Sequence, residues 1–180
     1  QKHKHCLAMH IRLTDKASGR EKKGLEAYLP YAIAYANAAP HKPVYIATDD
    51  ARVMQRIRTA LPNTTPLLFQ QGALRSESDT VPTFQLLEQD KHRSNTEALV
   101  EIYAMAKCGF FVHGYSGMAE AVIYIQPLLH NRSINIDDPD SPGPAIFEKN
   151  VQRTLQLEAE LVLRMKDRKP KNKTQPQTYE

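Results

Sequence analysis

Cysteines and long apolar runs are both scarce in this chain of 180 residues. Its two cysteines, Cys6 and Cys108, indicate neither a disulfide framework nor a cysteine-based metal site. Each begins an apolar segment expected to form a strand, where a free thiol commonly behaves as a small buried hydrophobe. The two could pair only if those strands are neighbours. No apolar run approaches the roughly 18 residues of a membrane span, so we expect no membrane contact by this segment.

Common nucleotide-binding and hydrolase motifs are also absent. The chain has no GxxxxGK[S/T] loop and no GxGxxG fingerprint, which argues against a P-loop nucleotide triphosphatase and a standard dinucleotide oxidoreductase. Residues 114–118 read GYSGM, so Met118 stands where the GxSxG elbow of serine hydrolases requires its last glycine. A serine hydrolase is therefore not indicated.

The composition is that of a globular protein, with 41% hydrophobic and 24% charged residues, and the length suits one domain. The formal net charge of +4 is concentrated near the end, where residues 164–173 read RMKDRKPKNK. We predict a domain over residues 1–163 and a basic, polar, disordered tail over residues 164–180. Nucleic-acid binding would depend on that tail alone, so it is not expected.

Short apolar runs alternate with longer amphipathic ones, a pattern typical of βαβ units. The predicted strands cover residues 6–12, 44–48, 66–69, 110–113 and 132–136. The predicted helices cover residues 27–39, 51–61, 95–107, 118–125 and 147–168. The sequence therefore predicts an α/β fold, a Rossmann-like open parallel sheet with helices on both faces.

The first strand runs directly into a polar loop, and residues 10–16 together read HIRLTDK. Open α/β sheets bind ligands at the C-terminal ends of their strands, where this loop lies. Arg12 offers a planar charged fork suited to a diphosphate, and His10 points to the same side of the strand. This favours an anionic, nucleotide-like ligand. The structural alternative is a salt bridge from Arg12 to Asp15 beside a core histidine.

Two further groups of side chains are predicted at the same edge of the sheet. Asp49 and Asp50 follow the second strand, where one is expected to cap the next helix and the other could hold Arg12 or Lys16. Residues 113–117 read HGYSG and form a strand end, a glycine turn and a helix start. Ser116 and Gly117 are therefore candidate phosphate contacts, although many turns of this composition bind nothing.

Two groups of side chains invite a metal interpretation that we do not favour. One is a set of alternating histidines near a chain terminus, where exposed or core-packed positions are common: His3, His5 and His10. The other is a loop that lacks the ligand spacing and final glutamate of a calcium site: Asp137, Asp138 and Asp140. No bound metal is expected.

The cellular compartment stays open at this level. Asn63, Asn131 and Asn172 each begin an N-x-S/T triplet, a pattern that points toward the secretory route but often arises by chance. The first residue is Gln1 and not methionine, so we expect any targeting segment to lie outside this chain.

Taken together, HIRLTDK (10–16), YIATDD (45–50) and the segment 98–116 resemble the donor-binding half of α-1,6-fucosyltransferase-like glycosyltransferases. The resemblance covers about residues 6–126, in the same order and at similar intervals. It implies one half of a GT-B-like enzyme that binds GDP-fucose and transfers fucose, with inversion and without a metal or other cofactor, to a glycan or glycoprotein acceptor. It also implies a secretory or Golgi location.

The resemblance assigns roles to several residues of this chain. Arg12 would bind the donor diphosphate and stabilise the leaving GDP, and His10 would contact the nucleoside. The residues that would build and orient the site are Asp15, Lys16, Asp49 and Asp50. Ser116 and Gly117 would contact the phosphates. Glu101 stands at the position of an aspartate that reads guanine, although a solvated glutamate on a helix is the simpler alternative.

Two departures from the family pattern bear on activity. Leu13 stands where close family members carry a second arginine, which weakens charge compensation for the donor. Arg20 occupies the position nearest the acceptor-activating carboxylate, so we predict the adjacent Glu21 as general base, with a solvated loop charge as the alternative. A noncatalytic sugar-nucleotide or glycan-binding module is therefore the second hypothesis.

Overall fold

A computed structural model describes residues 5–14, 23–78, 81 and 90–167, and five strands from these residues form one sheet. The strands are β1 (Leu7–Ile11), β2 (Val44–Thr48), β3 (Leu67–Leu68), β4 (Phe110–His113) and β5 (Ser133–Asn135). Their order is β3-β2-β1-β4-β5, and every neighbouring pair is parallel. The predicted Rossmann-like α/β fold is confirmed.

Helices connect these strands and cover both faces of the sheet. They are α1 (Leu29–Ala38), α2 (Arg52–Ala60), α3 (Lys91–Met105), α4 (Gly117–Ile125) and α5 (Pro144–Asp167), with short 3₁₀ turns at Leu25–Ala27 and Pro127–Asn131. Pro62 follows α2 and Pro127 follows α4, consistent with the inability of proline to continue a helix. None of the helices in the described part of the chain has the length and hydrophobicity needed to cross a membrane.

Alternate residues of β1 belong to two separate cores. Leu7, Met9 and Ile11 pack under α1, α2 and α5 with the other members of the larger core. Cys6 and Ala8 face α3 and α4 in the smaller core. His10 continues this second series at the C-terminal end of the strand. The polar end of β1 therefore lies on the α3 and α4 side of the sheet.

The two cysteines form a disulfide at the beginning of β1 and β4. Their Cα atoms are 4.7 Å apart, and both residues are buried. The sequence left this pairing conditional on the two strands being neighbours, and the strand order, which is not visible in the sequence, meets that condition by placing β1 beside β4. The carbonyl of Cys6 also accepts backbone hydrogen bonds from Gly109 (3.0 Å) and Phe110 (3.3 Å).

Several helix boundaries differ from prediction, and among the starts the largest differences are those of α3 (Lys91, predicted 95) and α5 (Pro144, predicted 147). Helix α3 begins at Lys91, about one turn before the predicted start, because the Asp90 carboxylate caps it by accepting a hydrogen bond from the Arg93 amide at 2.9 Å. Helix α5 reaches Asp167, so the first four residues of the predicted tail are helical. The remaining tail residues, 168–180, lie outside the described part of the chain.

The expected packing of α5 on the sheet holds only for its first half. Phe147 and Val151 are buried in the larger core. Four apolar residues of its second half are instead exposed: Leu157, Leu161, Val162 and Met165. Periodicity shows which side chains share a face of the helix, but not where the sheet beneath it ends.

Candidate functional site

The candidate site lies where the strand order reverses. From β1 the chain crosses to β2 on one side, whereas β4 lies on the other side of β1 and leads on to β5. In open parallel sheets the loops that leave two such strands diverge and leave a crevice between them, and this crevice between β1 and β4 is the candidate site. In open parallel sheets this switch point is the usual ligand site.

Two buried histidines lie side by side at this crevice. His10 of β1 is the register partner of His113 of β4, and only 6% and 7% of these residues are exposed. Burial, together with the nearby His113 and Arg12, lowers the pKa of His10 to about 4. Burial also lowers the pKa of His113. Both imidazoles are consequently neutral at neutral pH.

Arg12 immediately follows β1, and it is exposed at the mouth of the crevice. Its charge adds to burial and to His113 in lowering the pKa of His10. The next residue, Leu13, is buried in the larger core. The end of β1 thus presents one cation, while the following side chain anchors the loop.

Asp49 holds the loop that follows Arg12. One carboxylate oxygen accepts a hydrogen bond from the Leu13 amide at 2.9 Å. The other accepts from the Thr14 hydroxyl at 2.7 Å and the Thr14 amide at 3.3 Å. Asp49 therefore holds this loop through backbone and hydroxyl contacts, and the hypothesis that one of the two aspartates holds Arg12 or Lys16 stays a prediction.

Asp50 is buried and pairs with the beginning of α2. Its carboxylate accepts from the Arg52 side chain at 2.9 Å (Nε) and 2.6 Å (Nη2), and from the Arg52 amide at 2.8 Å. The N-cap position itself is Ala51, which supplies no side-chain hydrogen bond. Asp50 thus accepts an amide hydrogen bond at the start of α2, as an N-cap side chain would, although it precedes the N-cap position by one residue.

Ser116 and Gly117 form the first residues of the turn into α4. Ser116 is the N-cap, and its Oγ accepts a hydrogen bond from the Met118 amide at 3.2 Å. Gly117 is exposed, and an added Cβ would meet no atom within 4 Å. This glycine leaves open space in front of a helix N-terminus, a favourable position for an anion.

A second polar group, which was not predicted from the sequence, lies on the other side of the turn that follows β4. The Asp137 carboxylate, expected in a solvated turn, accepts a hydrogen bond from the Tyr115 amide at 2.8 Å. A Cβ on Gly114 would lie 2.7 Å from Asp137 Oδ2 and 3.2 Å from the Tyr28 hydroxyl, so a larger residue would displace the Asp137 carboxylate from this position. Burial, with nearby Asp137 and Asp49, raises the pKa of Tyr28.

Glu101 lies on α3 and is not solvated. Its carboxylate is 3.9 Å from the Arg75 guanidinium, and only 13% of its side chain is exposed. Burial raises the pKa of Glu101 to about 7, although the charge of Arg75 opposes this shift. Arg75 also donates to the carbonyls of Gln70 and Ala73, both at 3.2 Å. The simpler alternative, a solvated helix glutamate, was therefore wrong.

Three predicted site residues, Asp15, Lys16 and Glu21, lie outside the described residues, as does Arg20. Within residues 5–14, 23–78, 81 and 90–167, no three His, Cys, Asp or Glu side chains are grouped so that they could hold a metal ion. His113, Tyr28, Asp137 and Arg75 were not predicted as site residues. Of these, only His113 carried a local signal, as the last residue of a strand before a glycine turn.

Comparison with known proteins adds no family assignment. No protein-family model matches the chain, and no curated protein matches its sequence significantly.

Proposed function

We propose that this chain is the sugar-nucleotide-binding domain of a glycosyltransferase, with GDP-fucose as donor and a glycan or glycoprotein as acceptor. The carrying observation is the strand order, in which Arg12 follows β1 and the exposed start of α4 follows the neighbouring β4, both at the C-terminal edge where the order reverses. A guanidinium and a helix N-terminus are complementary to a diphosphate.

The diphosphate and the nucleoside of the donor would each have binding residues at this crevice. Arg12 would bind the diphosphate with two parallel hydrogen bonds and stabilise the charge that develops on the leaving GDP. Ser116 and Gly117 would contact the phosphates at the start of α4. His10, buried and neutral beside Arg12, would contact the nucleoside. Asp49 supports this arrangement because it holds the backbone immediately after Arg12.

The assignment of guanine depends on Glu101. A carboxylate can accept two hydrogen bonds from the N–H groups of guanine, whereas adenine does not present the same donors. Such recognition needs the ionised form, which Arg75 favours, but burial outweighs Arg75 and raises the pKa of Glu101 to about 7, so the N–H groups of guanine would have to draw the carboxylate into its ionised form on binding. Transfer itself would use Asp15, Lys16 and the general base Glu21, which the family resemblance assigns and which lie outside the described residues.

The Arg12→Lys substitution tests the proposal. Lysine keeps the charge but not the planar fork, so GDP and GDP-fucose affinity should fall by about 10- to 100-fold. Calorimetric titration measures binding, and release of GDP from GDP-fucose in the presence of glycan acceptors measures turnover. UDP and ADP serve as comparison nucleotides.

The matched control is Arg153→Lys, at an exposed position of α5 away from the crevice. It should leave affinity and turnover unchanged. Absence of GDP binding by the unmodified protein, or equal binding by the Arg12→Lys variant, contradicts the proposal.

A noncatalytic binding module is the second candidate, and Leu13 favours it. This residue replaces the second arginine of the family pattern and is buried in the core, so it contributes no charge to the donor. GDP-fucose binding without any released GDP or transferred fucose would support the module and exclude the enzyme.

A further inference from the structure

We infer that His113 is a further binding residue, whose Nε2 accepts a hydrogen bond from a ribose hydroxyl of the bound nucleotide. The inference rests on the proposed function, because it concerns a nucleotide whose diphosphate lies at Arg12. It assigns a role to a residue that neither the sequence motifs nor the family resemblance identified.

The protonation of the His113 ring follows from one contact. Its Nδ1 lies 2.9 Å from the carbonyl oxygen of Gly114. A carbonyl oxygen can only accept, so Nδ1 must carry the proton. Because burial lowers the pKa of His113, the ring is neutral at neutral pH. Nε2 is then left with a lone pair and can only accept a hydrogen bond.

The ring is held in one orientation before any ligand binds. It stacks on the Phe111 ring, with centroids 4.6 Å apart, while the Gly114 contact fixes its rotation. Within the described residues, Nε2 has no hydrogen-bond partner. A preoriented acceptor at the end of β4 is suited to a ligand donor, since little ordering is required on binding.

The location of His113 and the charge of the groups near it both indicate that the hydrogen-bond donor is a ribose hydroxyl. His113 is the register partner of His10, two residues before Arg12, and lies three residues before the N-cap of α4. The ribose is bonded directly to the diphosphate, so a diphosphate bound between these two loops would bring the ribose toward His113. Ionised phosphate oxygens carry no proton, so they cannot donate a hydrogen bond to Nε2, and their lone pairs would repel the lone pair of Nε2. A ribose hydroxyl is a neutral donor and matches a neutral acceptor.

The experiment compares GDP with 2′-deoxy-GDP and 3′-deoxy-GDP by calorimetric titration. For the unmodified protein, removal of one of the two hydroxyls should weaken binding by about 3- to 10-fold, the value of one neutral hydrogen bond. Two variants separate the ring nitrogens. An asparagine amide reaches about as far as Nδ1, whereas a glutamine amide reaches about as far as Nε2.

His113→Asn should therefore bind GDP and the weaker deoxy analogue equally, whereas His113→Gln should retain part of the difference. The control is His130→Asn in the exposed turn Pro127–Asn131, which should behave like the unmodified protein. Circular dichroism verifies that each variant is folded.

The outcomes distinguish the two proposals. If the unmodified protein binds no GDP, the proposed function fails and this inference fails with it. If GDP binds but neither deoxy analogue differs from it, the role of His113 is refuted while the proposed function stands. The same holds if His113→Asn still discriminates between GDP and the weaker analogue as the unmodified protein does.

Discussion

The two ends of the parallel sheet are built from different chemistry. At the N-terminal end, the buried disulfide between Cys6 and Cys108 links β1 to β4 among apolar side chains. At the C-terminal end of the same two strands, His10 and His113 lie side by side and Arg12 is exposed next to them. One end is held covalently, and the other is held by hydrogen bonds.

This difference separates stability from binding. His10 lies four residues beyond Cys6, which is ~13 Å along a strand, so the disulfide does not contact the crevice. It nevertheless holds together the pair of strands whose register places the two histidines opposite each other. The polar end contributes less to the free energy of unfolding. Each of its polar groups loses hydrogen bonds to water on burial, and the hydrogen bonds within the protein offset most of that cost but add little beyond it.

Removal of the disulfide should have the largest effect on stability. The double variant Cys6→Ala, Cys108→Ala should lower the free energy of unfolding by about 2–5 kcal/mol, since the disulfide closes a long loop. Urea unfolding under oxidising conditions measures this, with the dithiothreitol-reduced protein as a second reference. Nucleotide affinity of the folded fraction should not change. A loss of stability below ~1 kcal/mol would contradict the assigned role.

Asp49→Asn should have an intermediate effect, confined to the polar end. The amide removes the charge that accepts from Leu13 and Thr14, so unfolding should become easier by about 1–3 kcal/mol. Hydrogen exchange should accelerate at the amides of these two residues, and GDP binding should weaken. Asp140→Asn, on an exposed loop, is the control. Unchanged exchange at both amides would show that Asp49 does not hold the loop.

The pH dependence of stability should be the smallest effect, because the titrations of two buried groups, His10 and Glu101, oppose each other. The pKa of His10 is lowered from 6.5 to about 4, so the unfolded chain binds more protons between these values. Its contribution is present above 6.5 and is lost as the pH falls toward about 4. In His10→Asn, this loss on acidification should disappear.

Glu101 acts in the opposite direction. Its pKa is raised from 4.5 to about 7, so the folded state binds more protons between these values and stability falls as the pH rises through this range. Glu101→Gln should abolish that fall. Urea unfolding at several pH values from about 4 to about 8 tests both variants. Identical pH profiles for either variant and the unmodified protein would refute the corresponding assignment.

Much of the fold could be predicted from local patterns. The strands at residues 44–48 and 110–113 were predicted with the bounds that the structure has, because short apolar runs ended at an aspartate pair and a glycine turn. Arg12, His10 and Ser116 were correctly expected at the C-terminal edge, since parallel strands share one such edge. Strand ends and their polar loops are properties of neighbouring residues, which a single sequence displays directly.

The sequence by itself thus determined the α/β class, the main strands and the edge at which polar groups gather. Only the tertiary structure decided which of them meet. The pairing of Cys6 with Cys108, the approach of Asp137 to Tyr115 and the contact of Arg75 with Glu101 all depend on strand order and loop path. Hydrophobic periodicity specifies which face of an element is buried, but it carries no information about which distant element covers that face.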